Sequence, residues 1–148
     1  MSKNKILILT SIMLIILISV AGIYLKMKYD EKEKQKALYY KGQQERITLY
    51  LKHNTIEPNT IKSVHFTNLE TSHMGSAVIE GYINENKKDD FVAYASPENN
   101  FQFVGDIILS KNLSEIIKIK TKSPEKIKEE LDKKKAARVF FIFDLIFQ

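Results

Sequence analysis

The chain has 148 residues, which allows one domain of ordinary size, and 23 Lys and Arg against 18 Asp and Glu. It has no cysteine, which excludes disulfides, Cys-ligated zinc, iron–sulfur clusters, a thiol nucleophile and lipid attachment at cysteine. Residues 1–28 carry four lysines and no acid, so +4 of the net charge of +5 lies around one apolar run. Lysines beside an apolar run are typical of a membrane segment. This placement of the charge argues against nucleic-acid binding.

The first predicted element is this apolar run, Ile6 to Leu25, twenty residues without a charge. As a helix it measures about 30 Å, the thickness of the hydrocarbon core of a bilayer. The sequence therefore predicts that segment 1–28 is an N-terminal transmembrane anchor and that residues 6–25 contact the membrane. The alternative is a signal peptide cleaved after Ala21, because Ser19-Val20-Ala21 offers the small residues that a signal peptidase reads.

The orientation of the anchor is less evident, since lysines occur on both sides of it. Counted strictly, the positive-inside rule keeps the body of the protein in the cytoplasm. The head of five residues is signal-like, however, and acids interleave with lysines in the polar stalk of residues 29–36. We therefore expect a single-pass protein of the cell membrane with an extracytoplasmic C-terminal domain.

A small α+β domain is predicted over residues 37–110. Its first part, 37–53, has the spacing of an amphipathic helix. Alternating segments then predict strands at 61–69, 76–84 and 90–95, with a turn at 85–88 and a fourth strand or edge segment at 101–109. The expected architecture is a helix packed on a three- to four-stranded antiparallel meander, similar in shape to cystatin-like domains.

Residues 111–148 are predicted to form a lysine-rich helix and an apolar end. Ser123-Pro124-Glu125 has the residue types of a helix start. The basic side chains of 111–138 either face solvent, the interpretation we favour, or attract an anionic surface. The end, 139–148, is too short to cross a bilayer, so it docks on the domain or inserts at an interface or partner surface.

The residues show no pattern of a catalytic or cofactor site. His53, His65 and His73 are not spaced as metal ligands, no glycine-rich phosphate loop is present, and no serine lies in a nucleophile elbow. We therefore expect no enzyme activity, metal or cofactor. The candidate partner-binding residues are aromatic pairs from which one ring each could face a partner: Tyr39, Tyr40, Phe101 and Phe103.

Three strings, YYKGQQERITLYLKHNTIEPNTIKSVHFTNLE, MGSAVIEGYIN and FVAYASPENNFQF, resemble a family of small single-anchor membrane proteins of unknown function from staphylococci and related Gram-positive bacteria. The resemblance covers about 39–103 and the anchor, and it implies no activity. The expected function is a membrane-anchored, non-enzymatic module of the cell envelope that binds an unidentified envelope or effector protein. The alternative is an immunity or inhibitor protein against a co-produced toxin or hydrolase.

Overall fold

The computed structural model describes residues 3–146, and the side chains of residues 3–140. The long helix α1 is followed by four strands and two further helices. Their bounds are α1 Lys3–His53, β1 Val64–Thr71, β2 Ala77–Ile83, β3 Asn86–Ala95, β4 Ile107–Leu109, α2 Lys111–Ile116 and α3 Pro124–Ile146, with a short 3₁₀ turn at Pro97–Asn99.

Helix α1 is continuous over 51 residues. It contains the predicted anchor, the stalk and the amphipathic segment, with no proline to interrupt it before Pro58. Within the apolar run the hydroxyl groups of Thr10 and Ser11 both donate to the carbonyl of Leu7, at 2.9 Å, so they are satisfied inside the helix. The chain divides into one compact unit that ends at Tyr40 and a second that begins at Lys41.

The four strands form one antiparallel sheet in the order β1-β2-β3-β4, which is a meander. This confirms the predicted α+β fold class, with an apolar N-terminal helix, an antiparallel meander and a C-terminal helix. The fourth strand is only three residues long, Ile107–Leu109, and does not begin at residue 101 as predicted.

The sheet has one buried face. In β2, and in β3 from Phe91 onward, every second side chain is buried. A β-bulge between Phe66 and Asn68 in β1 keeps both Phe66 and Leu69 on that face, opposite Gly81 and Ile79. Strict alternation of side chains from residue 61 to 69 predicts that Phe66 and Leu69 lie on opposite faces of the sheet. This prediction is wrong, because the bulge shifts the register of β1 after Phe66. The rings of Phe66 and Phe91 meet edge to face, with centroids 5.8 Å apart.

The β2–β3 hairpin turns earlier than predicted. Asn84 and Glu85 are its two central residues, and both have positive φ, 50° and 60°, as a tight two-residue hairpin requires. The predicted turn at 85–88 is therefore wrong in position. Residues 87–89 of β3 have no partner in β2, because Asn86 pairs with Ile83 and the next pair is Asp90 with Tyr82. The Asn84 carboxamide fixes the turn, since its Oδ1 accepts from the Lys62 N–H at 2.8 Å.

The core of the second unit combines the last turns of α1, the sheet and the segments after β4. Its fully or nearly buried members include Ile47, Leu51, Ile79, Ile83, Phe91, Ala93, Phe103, Leu113, Ile117 and Ile127. Residues beyond 110 thus contribute to the core. The connection between α2 and α3 is tied to the end of α1, where the N–H of Ile56 donates to Ile116 at 2.9 Å and that of Lys118 to Asn54 at 2.8 Å.

Candidate partner-binding surface

The second face of the sheet, which we name the open face, consists of side chains that are half-buried or exposed. Cross-strand pairing aligns them in three rows across the sheet. The first row is Glu70, Val78 and Tyr94; the second is Asn68, Glu80, Val92 and Ile108; the third is His65, Tyr82 and Asp90. Ile108, on the edge strand β4, leaves 60% of its surface exposed.

The open face combines apolar and aromatic groups with one carboxylate in each row, from Glu70, Glu80 and Asp90. All three acids are exposed. The imidazole of His65 stacks on the ring of Tyr82, with centroids 5.0 Å apart, and its Nε2 lies 2.6 Å from the carboxylate of Glu85. The face is therefore acidic, in contrast with the basic segments at the two ends of the chain.

The predicted aromatic residues have different environments. The ring of Phe103 is fully buried and meets Tyr50 edge to face at 5.3 Å, so it is a core residue and a partner has no access to it. Phe101 is 46% exposed, and it has positive φ in the turn before Phe103. Tyr39 and Tyr40 are half-buried residues at the end of the first unit. Burial raises the pKa of the Tyr39 hydroxyl. Partner binding by Tyr39, Tyr40 and Phe101 stays a prediction.

Phe103 is held in the core by two side chains of α1. The buried carboxamide of Gln43 accepts from the Phe103 N–H at 2.9 Å, and the Arg46 guanidinium donates twice to the Phe103 carbonyl, at 2.9 and 2.8 Å. The Nε2 of Gln43 also donates to Gln102 at 3.1 Å. These contacts satisfy the backbone of an irregular segment, so Gln43 and Arg46 have a structural role here.

Arg46 also joins α1 to α3 through an ion pair with Glu125. Partial burial raises the pKa of Glu125, but hydrogen bonds from its own backbone N–H and from Arg46, together with the charge of Arg46, outweigh this effect and leave the pKa lowered. The open groove between the two helices has a volume of about 690 Å³ and is lined by side chains of both charge signs.

No group of three or more His, Asp or Glu side chains that could hold a metal ion occurs in the described part of the chain. The buried polar side chains found there, Gln43, Asn54 and Thr55, bond to backbone groups. The alternation in β2 and β3 is the signal by which the open face is recognisable from sequence, since Val78, Tyr82, Val92 and Tyr94 occupy the positions between the core residues.

Residues 39–129 match the family described as Protein of unknown function (DUF1433). The chain belongs to the DUF1433 family. Its DUF1433 region runs from the end of the first unit through the sheet and α2 into the first turns of α3. This confirms the resemblance to an uncharacterised family, whereas a staphylococcal origin and a membrane anchor shared by the family stay predictions.

Among solved structures, the chain is similar to the folded 79-residue fragment of Lin0334 from Listeria innocua, determined by solution NMR. The identity is 32% and the TM-score 0.51, and the match covers 62% of this chain and 93% of the fragment. The comparison with curated proteins gives no match. The relatives therefore support the fold of the DUF1433 domain and assign no activity to it.

Proposed function

We propose that the protein is a membrane-anchored, non-enzymatic module of the cell envelope that binds another protein through the open face of its DUF1433 domain. The observation that carries the proposal is the open face itself: a sheet surface with exposed or half-exposed Val78, Val92, Tyr94 and Ile108 beside three carboxylates. Aromatic and aliphatic groups at the centre of a patch are typical of protein-binding surfaces.

The acids of the open face define the chemistry of the partner. Glu70, Glu80 and Asp90 carry one negative charge in each row, and the three rows contain no lysine or arginine that could neutralise them. A partner that presents Lys or Arg around an apolar centre complements this pattern. Basic groups at the rim would raise the association rate and make it sensitive to salt.

The anchor supports the membrane part of the proposal. Helix α1 is long and apolar enough to cross a membrane by length and composition, and its most apolar window is not buried by the rest of the chain. A signal sequence at the N-terminus meets the same criterion. In our proposal the segment is retained as a single span with the domain outside the cytoplasm, so that the open face meets envelope proteins.

Photocrosslinking in intact cells tests the binding surface. In the full chain, a photoreactive amino acid at position 92 or 94 should give a discrete crosslinked protein. Position 74 is the control: Met74 is 90% exposed but lies in the β1–β2 loop, outside the open face, so the same group there should give no crosslinked protein. Adding Glu80→Lys should weaken the crosslink from Tyr94. Equal crosslinking from Met74 and Tyr94 would contradict the proposal, and capture of a toxin or hydrolase would assign the module to the inhibitor alternative.

Reporter fusions test the location. Alkaline phosphatase fused to the C-terminus should be active. A reporter that fluoresces only in the cytoplasm, fused at the same position, should show no fluorescence. The reverse pattern would place the domain in the cytoplasm. The apparent mass of the chain in the membrane fraction distinguishes a retained anchor from cleavage after Ala21.

A further inference from the structure

The C-terminal half of α3 stands apart from the core of the DUF1433 domain. Its first turns are attached through buried Pro124 and Ile127 and half-buried Leu131, but every side chain from residue 132 to 140 is exposed. Val139 and Phe140 leave 66% and 73% of their surface exposed, and the helix continues to Ile146. This apolar end, Val139 and Phe140, is therefore not covered by the described residues of the domain.

Basic side chains precede this apolar end directly. Lys133, Lys134, Lys135 and Arg138 lie in the last turns before Val139. The loop before α3 adds further lysines, since Lys118, Lys120 and Lys122 line a cavity of about 110 Å³ together with Lys134. Acids of the helix neutralise part of the charge, as Glu130 pairs with Lys122 at 2.7 Å and Glu129 with Lys133 at 2.7 Å. Beyond Asp132, the segment 133–140 has no acid.

We propose that the segment 133–140 of α3 is a second membrane contact, which lies at the surface of an anionic bilayer. The basic residues match anionic headgroups, each of them strengthening association roughly five-fold, and the exposed side chains of Val139 and Phe140 match the acyl boundary beneath the headgroups. Residues 139–146 span about 12 Å as a helix, far less than the 30 Å of the hydrocarbon core. The contact is therefore interfacial and does not cross the membrane.

The inference rests on the proposed function in one respect, that the retained anchor keeps the domain near a bilayer. With the anchor in the bilayer and residues 133–140 in contact with its surface, the DUF1433 domain would be attached to the membrane at two points. This restricts the directions in which the open face can meet a partner, in contrast to a domain that swings freely on a single tether.

The chain contains no tryptophan, so a single introduced Trp reports the environment of one position. The full chain is reconstituted into vesicles of phosphatidylglycerol and phosphatidylcholine, or of phosphatidylcholine alone, with brominated acyl chains as quenchers. Phe140→Trp is the reporter for α3. Met74→Trp is the control, since Met74 is equally apolar and more exposed, and Ile16→Trp reports the anchor.

We expect a blue-shifted Phe140→Trp emission that brominated lipid quenches at least two-fold more strongly in anionic than in neutral vesicles, and an unquenched Met74→Trp. Replacing Lys133, Lys134, Lys135 and Arg138 together by Gln should reduce the quenching to the level of Met74→Trp, whereas Lys87→Gln with Lys88→Gln should leave it unchanged. Quenching of Phe140→Trp equal to the control would overturn the inference, as would a blue shift without quenching, which indicates burial against protein or a second copy.

Ile16→Trp separates this inference from the proposed function. Strong quenching at position 16 in both lipid mixtures with none at position 140 refutes the second contact and supports the anchor. Quenching at position 140 without quenching at position 16 supports the second contact and refutes the anchor.

Discussion

The carboxamide of Asn54, at the end of α1, should contribute more to stability than any other single polar side chain that contacts the connection from α2 to α3. Asn54 follows the last residue of α1 and is 2% exposed. Its Oδ1 accepts from the Lys122 N–H at 2.7 Å, and its Nδ2 donates to the carbonyls of Lys122 and Tyr50, at 3.0 and 2.9 Å. One amide thus replaces a pair of backbone hydrogen bonds and fixes Lys122, two residues before the first residue of α3.

Replacing Asn54 by Ala removes three hydrogen bonds, each worth about 1 kcal/mol net. The expected loss in the free energy of unfolding is about 3 kcal/mol, since the Lys122 backbone regains water only in part. Asn54→Asp should be no better than Ala, because it keeps the acceptor for the Lys122 N–H but turns a carboxylate oxygen toward two carbonyl groups. Asn112→Ala is the matched control: it removes one exposed bond to Asp89 and should cost less than about 0.5 kcal/mol.

The assay is equilibrium urea unfolding of the full chain in mild detergent, followed by the near-ultraviolet circular dichroism of the tyrosines in the domain. Unfolding midpoints that agree for Asn54→Ala and Asn112→Ala would refute the reasoning, because the Asn54 bonds would then be replaced by water at no cost. A change in the slope of the transition would indicate instead that α3 has detached separately from the sheet.

Three further outcomes follow from the packing and the charges. Gly81→Ala should destabilise by about 1–3 kcal/mol, because a Cβ there would clash with the backbone carbonyl of His65 and lie 2.6 Å from the buried ring of Phe91. Gly42→Ala, with open space around it, should stabilise by up to about 1 kcal/mol; thermal unfolding distinguishes the two. Glu125 has a lowered pKa in the folded state. Its ionised form therefore stabilises the fold above the unfolded pKa of about 4.3, and this stabilisation is lost as the pH falls through the folded pKa. The unfolding midpoint should differ less between pH 7 and pH 3 in Glu125→Gln than in the unaltered chain. Phe103→Ala should lower the free energy of unfolding by about 3–5 kcal/mol. Phe101→Ala should change it by less than about 0.5 kcal/mol. Weaker partner crosslinking of Phe101→Ala would show that this ring contacts the partner.

The fold class was predictable because hydrophobic periodicity determines it. The apolar run, the amphipathic segment and the alternation in β2 and β3 each gave an element of the observed type. Boundaries were less predictable, since they depend on backbone geometry that single residues set locally. The bulge after Phe66 reverses the alternation in β1, and positive φ at Asn84 and Glu85 places the hairpin two residues from where composition indicates it.

The environment of the candidate aromatic residues was less predictable than the elements. Phe101 and Phe103 are separated by one residue and are equally apolar, yet one is 46% exposed and the other fully buried. The difference arises from Gln43 and Arg46, about sixty positions earlier, which bind both backbone groups of Phe103. A contact over this sequence distance leaves no local signal, so a pattern of aromatic residues does not decide which ring faces a partner.

The strings that relate the chain to its family contain residues that the fold itself requires. The first string contains Gln43, Arg46 and Asn54, which bind the backbone of distant segments. The second contains Gly81, where a side chain would meet Phe91. Because these positions build the domain, similarity over them carries the fold and not an activity. Differences in binding among DUF1433 proteins should therefore lie in the alternate strand positions of the open face, and exchanging those positions between two members should exchange their partners while leaving the unfolding midpoint nearly unchanged.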